Sequence, residues 1–442
     1  EPLEVMKSCT ANINSEATCE KGHLVFQHTT ASSQMTPWFI YATFFVFPIA
    51  LLPKVAQLSF FCALLMAIVV VFRRRLIGDI SFESTEGLLF CFISIYLLSI
   101  LSNSAGAAVD RILAAFNTWL TWVVAALIYS VCRFCSLDRR RVAKIALVNI
   151  VILIALSMLH FIGAQIHLPL VGRVLSDADW INGTVSKRLC AFLEYPTLVA
   201  AMYFMLFPIS LEAVINSRRR ILPYAYCLAA AVPVIACGSR TGILLCVVST
   251  LVSLFYVDAA SGNSRISGSV KLLLVLLAIG CVFILFHNEI VSGVKGLIDS
   301  RQGSTDTRQS LYEYSLRRVM DESPVFGCGI KDVVVQFGPA VPVGSHSTYI
   351  GILYRTGIVG FLIFMSALLL LIKRIVLSEP KGEMRVYRLI FVLLFCSFFV
   401  TEDIDGADWL LVSALAVAGF LTNCTNVSLS PIKSATNRWR CQ

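Results

Sequence analysis

Long apolar runs recur along this 442-residue chain, and they constrain its fold more than any other feature. Each run approaches the roughly 20 residues that an α-helix needs to cross the hydrocarbon core of a bilayer. Hydrophobic residues make up 57% of the chain and charged residues only 14%, whereas a soluble domain carries about 25% charged residues. Because backbone polar groups inside a bilayer must be paired within the protein, such runs predict helices. The sequence therefore predicts an all-α, polytopic membrane protein.

Twelve apolar segments are the candidate transmembrane helices. They cover residues 37–52, 55–72, 87–102, 112–132, 145–163, 195–213, 221–237, 242–257, 271–287, 357–372, 389–401 and 409–423. We interpret residues 37–423 as a single transmembrane domain, because no internal repeat or linker divides them. Residues 1–36 are then a cytoplasmic N-terminal segment, and residues 424–442 are a cytoplasmic tail.

The lysines and arginines between the predicted spans set the orientation. Cytoplasmic loops carry an excess of both residues, and here they cluster in alternate loops, as in the arginine triplets at 73–75, 139–141 and 218–220. The net charge of +9 therefore reflects membrane topology and does not indicate a nucleic-acid partner. Two long loops, at about 164–194 and 288–346, are predicted on the non-cytoplasmic face.

The second of these outer loops is predicted to be helical in part. A helix from Asp306 or Thr307 to Met320 is expected there, and Pro324 prevents its continuation. Apolar side chains share one side of this helix: Leu311, Tyr312, Leu316, Val319 and Met320.

Three outer arginines run against the usual distribution of positive charge across a membrane. Arg240 lies in the tight turn Gly238-Ser239-Arg240-Thr241-Gly242, Arg188 precedes a span, and Arg308 lies in the first turn of the loop helix. Arginines at these positions also occur as interfacial or solvated charges. The residues alone therefore leave both a structural and a ligand-binding interpretation open.

His346 lies where the second outer loop enters a helix, in Gly344-Ser345-His346-Ser347-Thr348. A helix N-terminus and nearby arginines both disfavour a protonated imidazole, so the ring remains able to accept a proton. A structural histidine at the interface is the alternative.

An acidic group faces the same side: Glu402, Asp403, Asp405 and Asp408. Three interpretations are open for these carboxylates: binding of a divalent cation, pairing with the outer arginines, or a solvated turn.

Several segments in a fixed order resemble a known family. They are Arg188-Leu189-Cys190-Ala191-Phe192-Leu193-Glu194-Tyr195-Pro196, the turn at 238–242, Arg308 ahead of Asp321-Glu322-Ser323-Pro324-Val325-Phe326-Gly327-Cys328-Gly329, and His346-Ser347-Thr348-Tyr349-Ile350 leading into Thr356-Gly357-Ile358-Val359-Gly360. This order resembles the O-antigen ligase and polymerase superfamily of bacterial envelope glycosyltransferases. By motif, the resemblance covers roughly residues 180–375, with Ser347 where the family often has asparagine.

The resemblance implies a multi-pass, inverting glycosyltransferase of the bacterial inner membrane whose active site faces the periplasm. Its donor would be a glycan on undecaprenyl diphosphate, and the acceptor of a ligase would be a sugar hydroxyl of lipid A–core, in lipopolysaccharide biosynthesis. The resemblance assigns the donor pyrophosphate to Arg240 and Arg308, with Arg188 assisting, and the role of general base to His346. Arginine forks suit a leaving pyrophosphate, and a sugar hydroxyl needs a base. Membrane lipids are expected partners; no cofactor or metal is expected.

Other functions remain open at this stage. A polymerase uses the same type of donor, although the compact length and one dominant outer loop favour a ligase. A polysaccharide or lipid transporter usually places ionisable residues within its spans, and the central parts of the predicted spans lack them. A scaffold protein would leave the outer arginines unexplained.

Overall fold

The computed structural model describes residues 38–423, except 80–83, 136, 170, 182–183, 216, 218, 261–301, 335–341 and 380–381. A 3-10 helix, Trp38–Phe44, precedes the first α-helix. The α-helices are α1 Val46–Ala50, α2 Lys54–Asp79, α3 Ser84–Ser102, α4 Val109–Phe134, α5 Arg139–Phe161, α6 Thr197–Ile215, α7 Ile221–Ala236, α8 Arg240–Ala260, α9 Gln302–Glu322, α10 Thr348–Leu377, α11 Gly382–Phe398 and α12 Asp408–Asn423.

The helices agree with the apolar pattern. Among the described residues, six helices are long and apolar enough to cross a membrane: α3, α4, α5, α6, α8 and α10. Shorter apolar helices are α7, α12 and the first part of α2. The predicted fold class is confirmed, and the chain is a multi-pass membrane protein. The predicted span at 271–287 lies outside the described residues.

Several predicted elements differ from the observed ones in extent, among them the span predicted at 357–372, which is part of the longer helix Thr348–Leu377. The span predicted at 37–52 is a 3-10 helix and the five-residue α1, because Phe45 leaves the helical region at φ −80°, ψ 66°. In the second outer loop, α9 begins at Gln302 and ends at Glu322, one turn earlier and two residues later than expected.

The first outer loop contains strands that the apolar pattern did not predict. They are β1 His167–Leu168, β2 Arg173–Val174, β3 Ser176–Ile181 and β4 Thr184–Leu189. They form two antiparallel hairpins, β1–β2 and β3–β4. The prediction of a helical loop region is therefore right for α9, whereas this loop is a β-structured addition to a helical protein.

The core is built around α6. This helix is apolar on all sides, which is the pattern of a helix surrounded by others. Most of its residues are buried. Elsewhere α4 and α12 approach closely, since a Cβ added at Gly419 would lie 2.4 Å from the carbonyl oxygen of Tyr129. The helices of the bundle are therefore tightly packed, and the outer loops connect their ends.

Buried ion pairs lie at the end of the bundle that the sequence assigns to the cytoplasm. Arg139 Nε lies 2.5 Å from Glu212 Oε2, and Arg139 Nη1 lies 3.2 Å from Glu379 Oε2. Arg388 Nη2 also contacts Glu379 Oε2, at 3.1 Å. These residues come from the start of α5, the end of α6, the loop after α10 and the start of α11. The end of α6 thus lies near the start of α5, and the end of α10 lies near the start of α11.

A break in α10 shapes the opposite end. Gly357 has φ 63° and ψ −169°, a region that only glycine readily occupies. The segment after α9 fills this break: Cys328 N donates to Tyr354 O at 2.7 Å, and Gly329 N donates to Arg355 O at 3.1 Å. On the other side of the break, Ile358 N donates to the carbonyl oxygen of Pro324 at 2.9 Å. The motif at 321–329 therefore fixes a short half-helix, residues 348–356, that begins beside His346.

Candidate functional site

His346 has an unusual backbone conformation that its neighbours hold in place. Its φ is 64°, which is uncommon for a residue other than glycine. The hydroxyl of Tyr312 on α9 donates to the carbonyl oxygen of His346 at 2.5 Å. On the other side, Ser347 caps α10, because its Oγ accepts a hydrogen bond from Ile350 N at 3.4 Å. The position of the imidazole is therefore set by both α9 and α10.

Asp403 contacts the same segment from the loop between α11 and α12. Its Oδ2 accepts hydrogen bonds from the backbone N–H of His346 and from Nζ of Lys331, both at 3.3 Å. The carboxylate thus offsets part of the cost of the left-handed backbone. It also brings a lysine close to the histidine.

The electrostatic surroundings favour the neutral form of His346. Burial lowers the pKa of the ring below its usual 6.5, and the positive charges of Arg308 and Lys331 lower it further, whereas Asp403 opposes them. In the described part of the chain, no hydrogen bond to either ring nitrogen is found. A neutral imidazole with both nitrogens available can accept a proton from a bound hydroxyl.

Arg308 reaches from α9 to the loop that follows α11. Its Nη1 donates to the carbonyl oxygen of Thr401 at 3.2 Å, and its Nη2 lies 3.5 Å from Glu402 Oε1. The side chain remains 30% exposed. Arg308 therefore contacts the loop after α11, while part of its guanidinium is open to solvent.

Arg188 and Arg240 lie on adjoining elements. Arg188 is on β4, and its Nε donates to the carbonyl oxygen of Cys237 at 2.8 Å. Gly238 makes this approach possible, because a Cβ there would lie 3.3 Å from Arg188 Nε. Arg240 begins α8 two residues later, and the charges of both Arg308 and Arg188 act on it. The three guanidinium groups are therefore close enough to interact electrostatically. Arg308 also interacts electrostatically with His346.

The acidic group is buried and paired, so the interpretation as a solvated turn is wrong. Glu402 is 7% exposed and contacts Arg308, while Asp403 contacts Lys331. Asp405 Oδ2 accepts a hydrogen bond from Arg355 Nη2 at 2.5 Å. For Glu402, the pairing with an outer arginine considered above is the observed arrangement, whereas the partner of Asp405 is Arg355.

The comparison with known protein families covers this part of the chain. A family model described as O-antigen ligase matches residues 225–365. This region is therefore similar to the O-antigen ligase family. The resemblance to the ligase and polymerase superfamily is thereby confirmed, and the O-antigen ligase domain contains Arg240, Arg308 and His346, whereas Arg188 lies before it. No curated protein matches the chain.

Sequence reasoning missed several residues around the O-antigen ligase domain. Lys331 is the most informative of these, since it contacts Asp403 and lowers the pKa of His346. Its signal was present in the sequence: a lysine two residues after Gly329, on the outer side, where positive charge is unusual. Tyr312 was seen only as part of an apolar helix face, because its hydroxyl bond to His346 spans 34 positions.

Proposed function

We propose that this protein is an O-antigen ligase. It transfers polysaccharide from undecaprenyl diphosphate to a sugar hydroxyl of lipid A–core on the periplasmic face of the inner membrane. The observation that carries this proposal is a group of three arginines at one end of a membrane helix bundle, of which Arg308 also acts on His346 and favours its neutral form. Family membership supports the general reaction, and this arrangement supports the roles of the residues.

The arginines suit the donor. A leaving pyrophosphate gains negative charge in the transition state, and fixed cations stabilise that charge most where water is scarce. Arg240 and Arg308 would hold the phosphate oxygens, because a guanidinium can donate two parallel hydrogen bonds. Arg188 would assist by adding charge from β4.

His346 suits the acceptor. In the proposed step, a ring nitrogen takes the proton of the acceptor hydroxyl, and the hydroxyl oxygen attacks the anomeric carbon of the donor sugar. The bond from that carbon to the phosphate oxygen breaks, and undecaprenyl diphosphate leaves with the bonding electrons. Attack opposite the leaving group inverts the anomeric configuration.

The broken helix favours an enzyme over a transporter. In many transporters, unwound carbonyl groups at such a break coordinate the coupling ions. Here the carbonyl oxygens of Tyr354 and Arg355 accept hydrogen bonds from Cys328 and Gly329. The break therefore serves to hold the loop that leads towards His346.

The proposed membrane side can be tested by cysteine labelling in a cysteine-free background. Gln309 is exposed on α9, and Arg219 is exposed at the opposite end of the bundle. An impermeant thiol reagent added outside the inner membrane should label Gln309→Cys and leave Arg219→Cys unlabelled. Labelling of Arg219→Cys alone would place the arginines and His346 in the cytoplasm and exclude the proposed reaction.

A deletion strain tests the reaction itself and separates the ligase from the polymerase. If the protein is a ligase, lipopolysaccharide should lose all polysaccharide-capped species, and carrier-linked polymer should accumulate. If the protein is instead a polymerase, the alternative within the same superfamily, the deletion strain should have lipopolysaccharide capped with a single repeat unit. An unchanged lipopolysaccharide ladder would contradict both.

A further inference from the structure

The contact between Arg308 and Glu402 has a consequence for donor binding. Arg308 Nη2 faces Glu402 Oε1, and Nη1 donates to Thr401 O. A phosphate that binds a guanidinium through two parallel hydrogen bonds needs such nitrogens itself. The carboxylate of Glu402 and the donor pyrophosphate therefore compete for Arg308.

In the ion pair between Arg308 and Glu402, Glu402 is the residue that its neighbours hold in place. Its Oε2 accepts a hydrogen bond from Thr197 Oγ1 at 3.0 Å. Its carbonyl oxygen accepts two more from Thr348, through Oγ1 at 2.8 Å and through N at 3.0 Å. Arg308, in contrast, is 30% exposed and contacts the carboxylate at 3.5 Å, which is longer than the roughly 2.8 Å of a strong charged hydrogen bond. Arg308 can therefore turn towards a ligand while Glu402 remains.

The carboxylate that remains is left in poor surroundings for a negative charge. Burial raises the pKa of Glu402, Asp403 raises it further, and Arg308 is the largest effect that lowers it. Within the described part of the chain, Glu402 also interacts with Tyr195, before α6, Tyr312, on α9, and Cys237, after α7. None of these three supplies a positive charge, so removal of Arg308 increases the proton affinity of Glu402.

We propose that Glu402 is a resident counter-ion of Arg308 that the donor pyrophosphate displaces, and that the displaced carboxylate then takes up a proton from solvent. This inference rests on the proposed function, because it assumes that Arg308 binds the pyrophosphate. Glu402 is thus a positioning residue: it aims Arg308 before the donor binds and sets the affinity for the donor. It also makes donor binding stronger as the pH falls.

The test measures binding of geranylgeranyl diphosphate to the purified full-length protein in detergent, with geranylgeraniol as the uncharged control. In Glu402→Gln, the amide oxygen can still accept from Thr197, whereas the competing charge is gone. We expect this variant to bind the diphosphate about three- to tenfold more tightly at neutral pH. Equal or weaker binding by a variant with an unchanged unfolding temperature would overturn the proposal.

A second measurement follows proton uptake and compares the natural protein with Glu402→Gln. Calorimetry of the natural protein in two buffers of different ionisation enthalpy should show proton uptake when the diphosphate binds, and binding should strengthen from about pH 8 to pH 6. His346 also titrates at low pH, but it does so in both proteins, so the smaller slope expected for Glu402→Gln isolates the contribution of Glu402. The terminal phosphate of the probe also titrates in this range with both proteins, so equal proton uptake or equal slopes in the two proteins would contradict the proposal.

Arg240→Ala distinguishes this inference from the proposed function. If the arginines bind the donor, this variant loses affinity for geranylgeranyl diphosphate whatever the role of Glu402. Equal affinity of Arg240→Ala and the natural protein would overturn the donor site, and the counter-ion with it. Lost affinity in Arg240→Ala with unchanged affinity in Glu402→Gln would overturn the counter-ion alone.

Discussion

Asp403 Oδ2 accepts a hydrogen bond from the backbone N–H of His346 at 3.3 Å, so this carboxylate contacts the histidine through its main chain. In a Ser-His-Asp triad, by contrast, the aspartate accepts a hydrogen bond from the N–H of the imidazole ring and stabilises the charged form of the ring. Here Asp403 fixes where the ring lies, and burial together with the nearby cations Arg308 and Lys331 lowers the pKa of the ring and favours its neutral form. This arrangement agrees with the proposed role of His346, which is to accept a proton from a weakly acidic hydroxyl.

Lys331 should control the pH dependence of transfer. The positive charge of Lys331 lowers the pKa of His346, so Lys331→Met should raise it. A general base works in its neutral form, and activity falls as the pH drops through the pKa of that base. We expect the acid limb of kcat/KM to lie below pH 6.5 in the natural protein and at higher pH in Lys331→Met. Arg317→Met, which removes an exposed cation from α9, is the control and should leave the limb in place. A limb that stays in place in Lys331→Met would show that the titrating base is not His346.

The break in α10 should tolerate no side chain at Gly357. A Cβ there would lie 2.4 Å from the carbonyl oxygen of Val325, in a backbone region that costs a non-glycine residue about 1–3 kcal/mol. Gly357→Ala should lower the unfolding temperature and also reduce transfer, since the half-helix beginning beside His346 would shift. Gly87→Ala in α3 is the control, because no atom lies within 4 Å of its added Cβ. We expect this change to leave both measurements unchanged or slightly improved. Full stability and activity of Gly357→Ala would contradict the role given to the break.

Much of the fold was predictable, because long apolar runs and clustered arginines carry membrane topology directly. The break in α10 was not: Thr356-Gly357 lies at the start of an apolar run, and only the insertion of residues 324–329 shows that the helix is interrupted. The hairpin that carries Arg188 was also missed, since its strands are short and polar.

The site was predictable in its residue types and less so in its contacts. Positive charge is unusual on the outer side of a membrane protein, and this drew attention to Arg188, Arg240 and Arg308. In the structure these arginines interact electrostatically, and Arg308 also interacts with His346. The partners of the acidic group depend on tertiary contacts: Arg355 and Asp405 are 50 positions apart, and Arg308 and Glu402 are 94 apart. No local pattern could pair these residues.

Arg240 should not be replaceable by lysine. Lysine keeps the positive charge and loses the planar fork that binds two phosphate oxygens at once. We expect Arg240→Lys to reduce kcat/KM by at least about tenfold, with Arg219→Lys, at the opposite end of the bundle, as the control. Full activity of Arg240→Lys in a transfer assay would reduce Arg240 to a source of charge at the membrane surface.

Transfer by purified His346→Ala tests the central claim most directly. The assay follows glycan moving from undecaprenyl diphosphate to lipid A–core, with donor binding measured on the same preparation. Loss of a general base typically costs about 10²–10⁴-fold, so turnover should fall by that factor while donor affinity is largely retained. His167→Ala, which removes an exposed histidine from β1, should transfer as the natural protein does. Turnover close to that of the natural protein in His346→Ala would contradict the account, because His346 is the base of the proposed reaction.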